Sequence, residues 1–244
     1  MPLPDPCALI KRLASLPKET EWVEFKQNNA DPEKLGESIS ALANAAMLHN
    51  KRCAYFVFGI EDETHALKGS SINIKHQKKG NEELENWILR QLMPRIGVEF
   101  YDVDCDGQHF AIIQIEPAFH QPVAFAREEY IRVGSYNKRL SEYPEKARTI
   151  WSTTGIRSFE TGVAASHRTA DELLNSIDFS GYFRMINSQQ PDSSDAVIST
   201  LCREKFAYDD WQGGFDITNL GALSFAKDLN QFDALKRKAI RVVV

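Results

Sequence analysis

The sequence predicts an α+β fold, in which a mixed sheet is flanked by helices and a smaller helix-rich segment follows. Residues 21–27 (EWVEFKQ) have the alternation of a strand, with Val23 and Phe25 on one face. Residues 53–60 (CAYFVFGI) form a continuous apolar run, which is typical of a strand buried on both faces. Between them, residues 31–48 begin with an Asp-Pro pair and continue with apolar side chains at helical spacing, which predicts a helix against the sheet.

Shorter patterns predict further elements of the same domain. The Asp106-Gly107 dipeptide lies between two apolar runs and favours the tight turn of a hairpin. The predicted elements are a leader helix over 8–16, a helix over 81–92, hairpin strands over 98–105 and 109–116, and a strand over 129–135. We therefore expect one α+β domain over residues 1–150.

The second part of the chain, residues 151–244, differs in composition. Residues 141–170 are polar and contain Thr-Thr-Gly, which predicts a connector with one short helix. The spacing of apolar side chains then predicts helices over 171–177 and 193–204. The final residues 241–244 (RVVV) favour a strand, and because an apolar strand is an unusual end for a natural chain, we expect this sequence to be a fragment of a longer protein.

Composition and charge exclude several classes of protein. Hydrophobic residues are 43% and charged residues 26% of the 244 residues, which is close to an ordinary folded protein and unlike a disordered one. The 29 basic and 34 acidic side chains give a net charge of -5, which argues against a histone-like coat but allows a local basic surface. No segment has the roughly 18 uncharged apolar residues of a membrane span. With no signal-peptide pattern at its start, the chain is expected to be cytoplasmic and without a membrane partner.

Three carboxylates lie in or beside the two predicted strands. Glu19 and Glu24 accompany the first strand, and Asp62 follows the buried one. Cleavage of a phosphodiester needs a hard divalent cation that activates water and offsets charge on the phosphate, and carboxylates from neighbouring strands are suitable oxygen ligands. Lys26 shares a strand face with Glu24 and could bind the scissile phosphate. This pattern indicates a candidate Mg or Mn site.

Other assignments of these residues stay open. Glu21, Glu61 and Glu63 are equally acidic and could be the ligands instead. Residues five apart on a regular strand point to opposite faces, so Glu19 can meet Glu24 only if it lies before the strand. Acidic residues that flank strands are otherwise solvated loop charges, and the lysine of the same strand is otherwise an exposed surface residue.

These strings resemble the motifs of a known family. ETEWVEFK at 19–26, SALAN at 40–44 and FVFGIEDE at 56–63 resemble the Schlafen core domain, also called the Alba-like DNA-binding domain of bacterial regulators. The resemblance continues to YIRVGS at 130–135 and covers about residues 17–140. It implies an α+β domain that acts on nucleic acid.

The resemblance also implies a specific activity. In ribonuclease members of the family, the two glutamates of the first motif and the second acidic residue after Gly-Val form the cleavage site, and these roles fall on Glu19, Glu24 and Asp62. It thus implies a divalent-metal-dependent endoribonuclease that cleaves structured RNA such as tRNA or rRNA, with RNA preferred over DNA. The family often has Asn-Thr-x-Gly-Gly before the buried strand, whereas AAMLHNKRC follows Asn44 here, so the backbone is expected to differ at that point.

Two basic stretches could hold the phosphates on either side of the cleaved bond. One lies within residues 64–81, and the other surrounds the strand over 129–135. Such stretches are otherwise solvated loops, and Tyr130 and Tyr136 could either stack on unpaired bases or pack internally. The candidate nucleic-acid-binding residues are Lys68, Lys75, Lys78 and Lys79 in the first stretch and Arg132, Lys138 and Arg139 in the second.

Two rivals to the endoribonuclease remain open. One is a non-catalytic DNA-binding or RNA-binding module of a transcriptional regulator, in which the same acidic residues are structural. The other is a protein-interaction domain that serves an ATPase-like part, because the region from Asp171 onward resembles the segment that precedes such a part in longer bacterial proteins. No glycine loop that could cradle a phosphate occurs in the sequence, so no ATP site is expected in these residues. A homodimer is left open.

Overall fold

The computed structural model describes residues 3–17, 20–119, 121–152 and 159–236. The described residues fall into two compact units, one within residues 10–155 and the other within residues 2–9 and 156–244. Helices and several sheets, one of them mixed, confirm the α+β class. Within the described ranges, no helix combines the length and the apolar character needed to cross a membrane.

The elements of the chain up to residue 152 follow one another as short strands between a few longer helices. In chain order they are α1 (Pro6–Ala14), β1 (Val23–Lys26), α2 (Pro32–Leu48), β2 (Ala54–Phe58), β3 (Lys78–Lys79), β4 (Glu82–Glu83), α3 (Leu84–Gln91), β5 (Leu92–Met93), β6 (Val98–Cys105), β7 (Gln108–Ile115), β8 (Ala124–Phe125), β9 (Glu128–Val133), β10 (Tyr136–Arg139) and α4 (Pro144–Ser152).

The first sheet of the larger unit is mixed and has the strand order β1-β2-β7-β6. β1 and β2 are parallel, and β7 is antiparallel to both of its neighbours. All five residues of β2 are buried, as its continuous apolar run predicts. Lys26 at the end of β1 pairs with Phe58 at the end of β2. Because parallel neighbours end at the same edge of a sheet, the end of β1 and the loop after β2 lie together.

Helix α2 packs against β2 and β7 of the first sheet and against β8, β9 and β10 of the second, whose order is β10-β9-β8-β5. Its first turn is capped by Asp31, whose carboxylate accepts a 2.9 Å hydrogen bond from a backbone N–H, as the sequence predicts. Close approach to the second sheet depends on Gly36, where an added Cβ would lie 2.1 Å from the ring of Phe125. Asn44 donates a 2.9 Å hydrogen bond to the carbonyl of Val123 and so ties the helix to the segment before β8.

Strands β6 and β7 form the hairpin that the Asp-Gly dipeptide predicts. Asp106 and Gly107 both have positive φ, 51° and 77°, and the strands pair without interruption from their ends to this turn. Glycine adopts this conformation without a steric penalty, and aspartate tolerates it better than most residues. The hairpin completes the first sheet on the side away from β1.

The smaller unit combines helices with a three-stranded antiparallel sheet of order β11-β13-β12. Its described elements are β11 (Val163–Arg168), α5 (Ala170–Ser176), α6 (Phe179–Met185), α7 (Ser194–Arg203), β12 (Ala207–Asp209), β13 (Phe215–Thr218) and α8 (Asn219–Phe225). Helices α5 and α7 confirm two sequence predictions. The sheet was not predicted, because its strands are short and give little alternation. The terminal strand predicted at 241–244 lies outside the described residues.

Candidate functional site

The candidate site is built on the parallel pair β1 and β2. Glu24 and Lys26 are two residues apart on β1 and therefore share one face of the strand. The backbone N–H of Gly59, just after β2, donates a 2.8 Å hydrogen bond to the carbonyl of Lys26 and keeps the two strand ends together. The chain then turns into the loop that carries Asp62. This geometry brings a carboxylate from each strand to one edge of the sheet.

Lys26 is the residue on which the two carboxylates converge. Its ammonium group contacts the carboxylate of Asp62 and lies 3.8 Å from Oε1 of Glu24. The side chains of Lys26 and Asp62 are partly exposed, whereas that of Glu24 is buried. The group that could bind a phosphate is therefore already engaged with two carboxylates.

The second oxygen of Glu24 belongs to a buried ion pair. Oε2 accepts a 2.8 Å hydrogen bond from Nη1 of Arg132 on β9, and the exposed fractions of the two side chains are 8% and 1%. Asn137 of β10, which pairs with Arg132 across the hairpin, offers its Oδ1 at 3.5 Å from the same guanidinium nitrogen. The amide of Asn137 in turn donates a 2.8 Å hydrogen bond to Ser38 of α2. A chain of polar contacts thus runs from α2 to the candidate site.

The third predicted ligand, Glu19, lies outside the described residues. Among the residues that the structure does describe, no group of three or more His, Cys, Asp and Glu side chains could hold a metal ion. The two carboxylates that meet at Lys26 nevertheless have the donor chemistry that a hard divalent cation requires. Of the alternative ligands, Glu61 accepts a hydrogen bond from the hydroxyl of Thr64 in its own loop, and Glu63 is exposed.

A groove of about 860 Å³ adjoins this edge of the sheet. Asp62 forms part of its wall, together with Glu21 before β1, His49 at the end of α2, Lys51 and the turn at Gly134. Its volume is within the range of cavities that hold nucleotide-sized ligands. The groove therefore offers a surface on which a substrate could reach Asp62 from outside.

Glu21 lines the groove and makes polar contacts with three neighbouring residues. Its carboxylate lies 2.6 Å from Nε2 of His49, accepts a 3.0 Å hydrogen bond from the N–H of Gly134 and is 3.6 Å from Nζ of Lys146. Burial raises the pKa of Glu21, but these hydrogen bonds and the charge of Lys146 outweigh it, and the pKa lies below its ordinary value. As an alternative metal ligand, Glu21 would first have to leave these partners.

His49 and Lys51 are groove residues that the sequence reasoning did not single out. Nζ of Lys51 lies 4.6 Å from the ring centroid of Trp22, and burial lowers the pKa of this lysine. The sequence offered only one signal for them, the insertion-like stretch AAMLHNKRC, where the resemblance to the family breaks off. Both residues come from the segment between α2 and β2.

The predicted nucleic-acid-binding residues have different surroundings. Arg132 is buried against Glu24, so its guanidinium faces the interior of the unit and is not exposed at the surface. The remaining six are at least partly exposed, and none of the seven lines the groove described above. They are Lys68 in the loop after β2, Lys75 before β3, Lys78 and Lys79 of β3, and Lys138 and Arg139 of β10.

Three of the exposed basic residues have acidic or aromatic neighbours. Lys79 lies 2.6 Å from the carboxylate of Glu33. Arg139 lies 3.9 Å from Glu128, and Nζ of Lys138 is 6.0 Å from the ring centroid of Tyr136, which is 70% exposed. Tyr136 and Lys138 form an exposed pair on β10, close in sequence to the groove residue Gly134.

The match to a family model agrees with the resemblance seen in the motifs. A model of the Schlafen, AlbA_2 family matches residues 19–141. Among solved structures, the DIP2311 protein from Corynebacterium diphtheriae is 18% identical, with a TM-score of 0.39, over 84% of this chain and 35% of that chain. The N-terminal domain of a protein from Nitrosomonas europaea, described as related to the ATP-dependent DNA helicase RecG, is 17% identical, with a TM-score of 0.35, over 56% of this chain and 93% of that one.

The chain spans about a third of the length of the Corynebacterium protein that it matches. A comparison with curated proteins gave no significant match.

Proposed function

We propose that this chain, which belongs to the Schlafen, AlbA_2 family, binds nucleic acid beside β1 and cleaves RNA there in a divalent-metal-dependent reaction. Membership of the family supports a nucleic-acid-binding or nuclease-like role. The observation that carries the step from binding to cleavage is the convergence of Glu24 and Asp62 on the ammonium group of Lys26. Two carboxylates could hold a divalent ion for phosphodiester cleavage, and the lysine beside them could contact the phosphate.

Glu24 and Asp62 would hold Mg or Mn through carboxylate oxygens, and Glu19 would join them by resemblance to the ribonuclease members of the family. The bound ion would supply an activated water molecule and offset the negative charge of the phosphate. Glu24 is fixed by its buried contact with Arg132, whereas Asp62 is partly exposed in a loop. Asp62 is therefore the carboxylate that can adjust its position when substrate binds.

Lys26 would contact the scissile phosphate once its ammonium group leaves the carboxylates. Its side chain is about one third exposed, so that this group can turn towards the groove without unfolding the strand. A single lysine acts on phosphate as a point charge, which suits a group that changes partners. In this role Lys26 neutralises the two carboxylates before substrate arrives and the phosphate afterwards.

The groove provides the path for the flanking nucleotides. Lys51 and His49 line the groove and can contact phosphates. Asp62 of the candidate site also forms part of its wall. Tyr136 offers an exposed ring for a base that is not paired. Structured RNA with single-stranded loops presents such bases, so we propose RNA of the tRNA or rRNA kind as the substrate, in preference to DNA, and the cytoplasm as the place of action.

The proposal is tested with the purified chain, total tRNA and Mn²⁺, with and without a chelator. We expect endonucleolytic fragments from tRNA that disappear with the chelator, and fewer fragments from single-stranded DNA of the same length. The exposed Glu83, which does not line the groove, gives a matched control: Glu83→Gln should cleave like the unaltered chain. If tRNA stays intact with every divalent ion tried, the chain is not a ribonuclease.

A binding module without catalysis is the second candidate function. It is favoured by the contacts of Glu24, because both of its oxygens face cations of the protein itself, Arg132 and Lys26, as in a structural ion pair. In that case tRNA or DNA binds but is not cut, and substitution of Glu24 changes only the stability of the fold. Binding measured beside cleavage on the same samples separates the two functions.

A further inference from the structure

We infer that Arg132 is a positioning residue for Glu24, which holds one oxygen of its carboxylate so that the other is presented at the candidate metal site. The inference rests on the proposed function, since it assigns a task to a residue behind the site. It replaces the expectation that Arg132 contacts phosphate. The pair joins β9 of the second sheet to β1 of the first, across 108 residues of sequence.

The two oxygens of Glu24 have different surroundings. Oε2 lies 2.8 Å from Nη1 of Arg132, and Oε1 is the oxygen on the side of Lys26. A guanidinium is planar and donates in fixed directions, so its bond to Oε2 restrains the position of that oxygen and the direction in which the carboxylate turns. Oε1 is thereby kept on the side of Lys26, whose ammonium group also contacts Asp62.

Burial strengthens the effect of Arg132 on the carboxylate of Glu24. The side chain of Arg132 is 1% exposed and that of Glu24 is 8% exposed, so water competes little for their hydrogen bond. The guanidinium is itself held near Asn137, which Ser38 of α2 holds in turn. Partners behind a metal ligand orient it in this way, and their loss commonly weakens metal binding without removing any ligand.

A purely structural role is the alternative, and it makes a different prediction. If Arg132 only stabilises the fold, a substitution lowers the melting temperature and leaves the folded fraction with normal affinity for metal. If it positions Glu24, folded protein binds metal more weakly while its affinity for RNA without metal is unchanged. The two roles are therefore separated by measuring metal affinity well below the melting temperature.

The experiment compares Arg132→Lys with the unaltered chain by Mn²⁺ titration calorimetry, thermal melting and RNA binding in the presence of a chelator. Lysine keeps the positive charge but lacks the fixed donor direction of the guanidinium. We expect Mn²⁺ affinity to fall by about 10-fold or more, RNA affinity to stay within about twofold, and cleavage to show a lower kcat with little change in KM. Arg90→Lys, at an exposed arginine that pairs with Glu82 away from the groove, is the matched control and should change none of these.

Asn137→Ala is a second variant, in case Arg132→Lys does not fold. It leaves both charges in place and removes a neighbour of the guanidinium together with its hydrogen bond to Ser38, so a smaller fall in Mn²⁺ affinity is expected. Normal Mn²⁺ affinity in folded Arg132→Lys overturns the inference, and so does normal affinity in Asn137→Ala if Arg132→Lys does not fold. The proposed function still stands in that case if Glu24→Gln loses its affinity for Mn²⁺. If the unaltered chain neither binds Mn²⁺ nor cuts RNA, both the inference and the proposed function are wrong, and no variant is needed to show it.

Discussion

The ammonium group of Lys26 contacts the carboxylate of Asp62, 36 residues further along the chain. This contact joins the end of β1 to the loop after β2. A divalent cation that binds the carboxylates of Asp62 and Glu24 has to displace this ammonium, because two cations cannot share the same oxygens at low cost. The same lysine therefore opposes metal binding and, in the proposed function, assists the phosphate.

Replacement of Lys26 by methionine should separate these effects. We expect Mn²⁺ affinity to rise by about 3-fold to 10-fold because a competing charge is gone, and tRNA cleavage to fall by about 10-fold or more because the phosphate loses its partner. Calorimetry and single-turnover cleavage measure the two effects. The exposed Lys34, which does not line the groove, should change neither effect when it is replaced by methionine. Unchanged or weaker metal binding in Lys26→Met would contradict the competition.

Glu24 and Asp62 should differ in their effect on stability. Glu24→Gln leaves the buried guanidinium of Arg132 without its counter-charge, so we expect the free energy of unfolding to fall by about 3–5 kcal/mol. The carboxylate of Asp62 is 42% exposed, so Asp62→Asn should cost no more than about 1 kcal/mol. Urea unfolding of both variants measures the difference.

A double variant controls for the cause of that difference. Glu24→Gln combined with Arg132→Met removes both buried charges and should recover much of the lost stability. Equal stability losses in Glu24→Gln and Asp62→Asn would mean that the ion pair with Arg132 does not explain the contribution of Glu24 to stability.

RNA binding should depend on salt through the basic residues of the groove. The logarithm of the affinity for single-stranded RNA should fall linearly with the logarithm of salt concentration, with a slope set by the number of phosphates neutralised. Lys51→Met should reduce that slope by about one unit. Lys236→Met, at an exposed lysine of the smaller unit, is the control; an unchanged slope in Lys51→Met would place the RNA elsewhere.

The stability of the larger unit should also depend on pH through His109 of β7. Burial lowers the pKa of this histidine, but its contacts with Asp104 at 3.1 Å, the carbonyl of Ile72 at 3.0 Å and Asp102 at 3.4 Å outweigh it, and the pKa is raised above its ordinary value of 6.5. A raised pKa adds stability that is fully present below pH 6.5 and is lost as the pH rises through the higher value.

The unaltered chain should therefore lose unfolding free energy between pH 6 and about pH 8, and His109→Gln should lose less over the same range. Urea unfolding at several pH values measures it. The same pH profile in both proteins would show that another group is responsible.

The sequence predicted the elements whose signals are local. The continuous apolar run of β2, the Asp31 cap of α2 and the Asp106-Gly107 turn each depend on neighbouring residues, and the structure confirms all three. The placement of Glu24 and Lys26 on one face follows from the period of a strand. Asp62 could be placed near them because the strand before it was recognised as buried.

The remaining features depend on contacts between distant residues. Arg132 was expected at the surface because a charged side chain is rarely fully buried unless it has a partner, and its partner Glu24 is 108 residues away. β5 and β8 have two residues each, too few to show a period of two. His49 and Lys51 line the groove because of how α2 ends, which their own residue types do not indicate.

In the proposed function Asp62 and Glu24 hold the divalent ion that cleaves RNA, and single-turnover cleavage of end-labelled tRNA by Asp62→Asn is the sharpest test of that role. This variant should keep its fold, since its carboxylate is partly exposed, and it should keep or increase its affinity for RNA because a negative charge near the phosphate is gone. We expect cleavage at least about 100-fold slower than that of the unaltered chain and of Glu83→Gln at the same Mn²⁺ concentration. Cleavage by folded Asp62→Asn at the unaltered rate would contradict it.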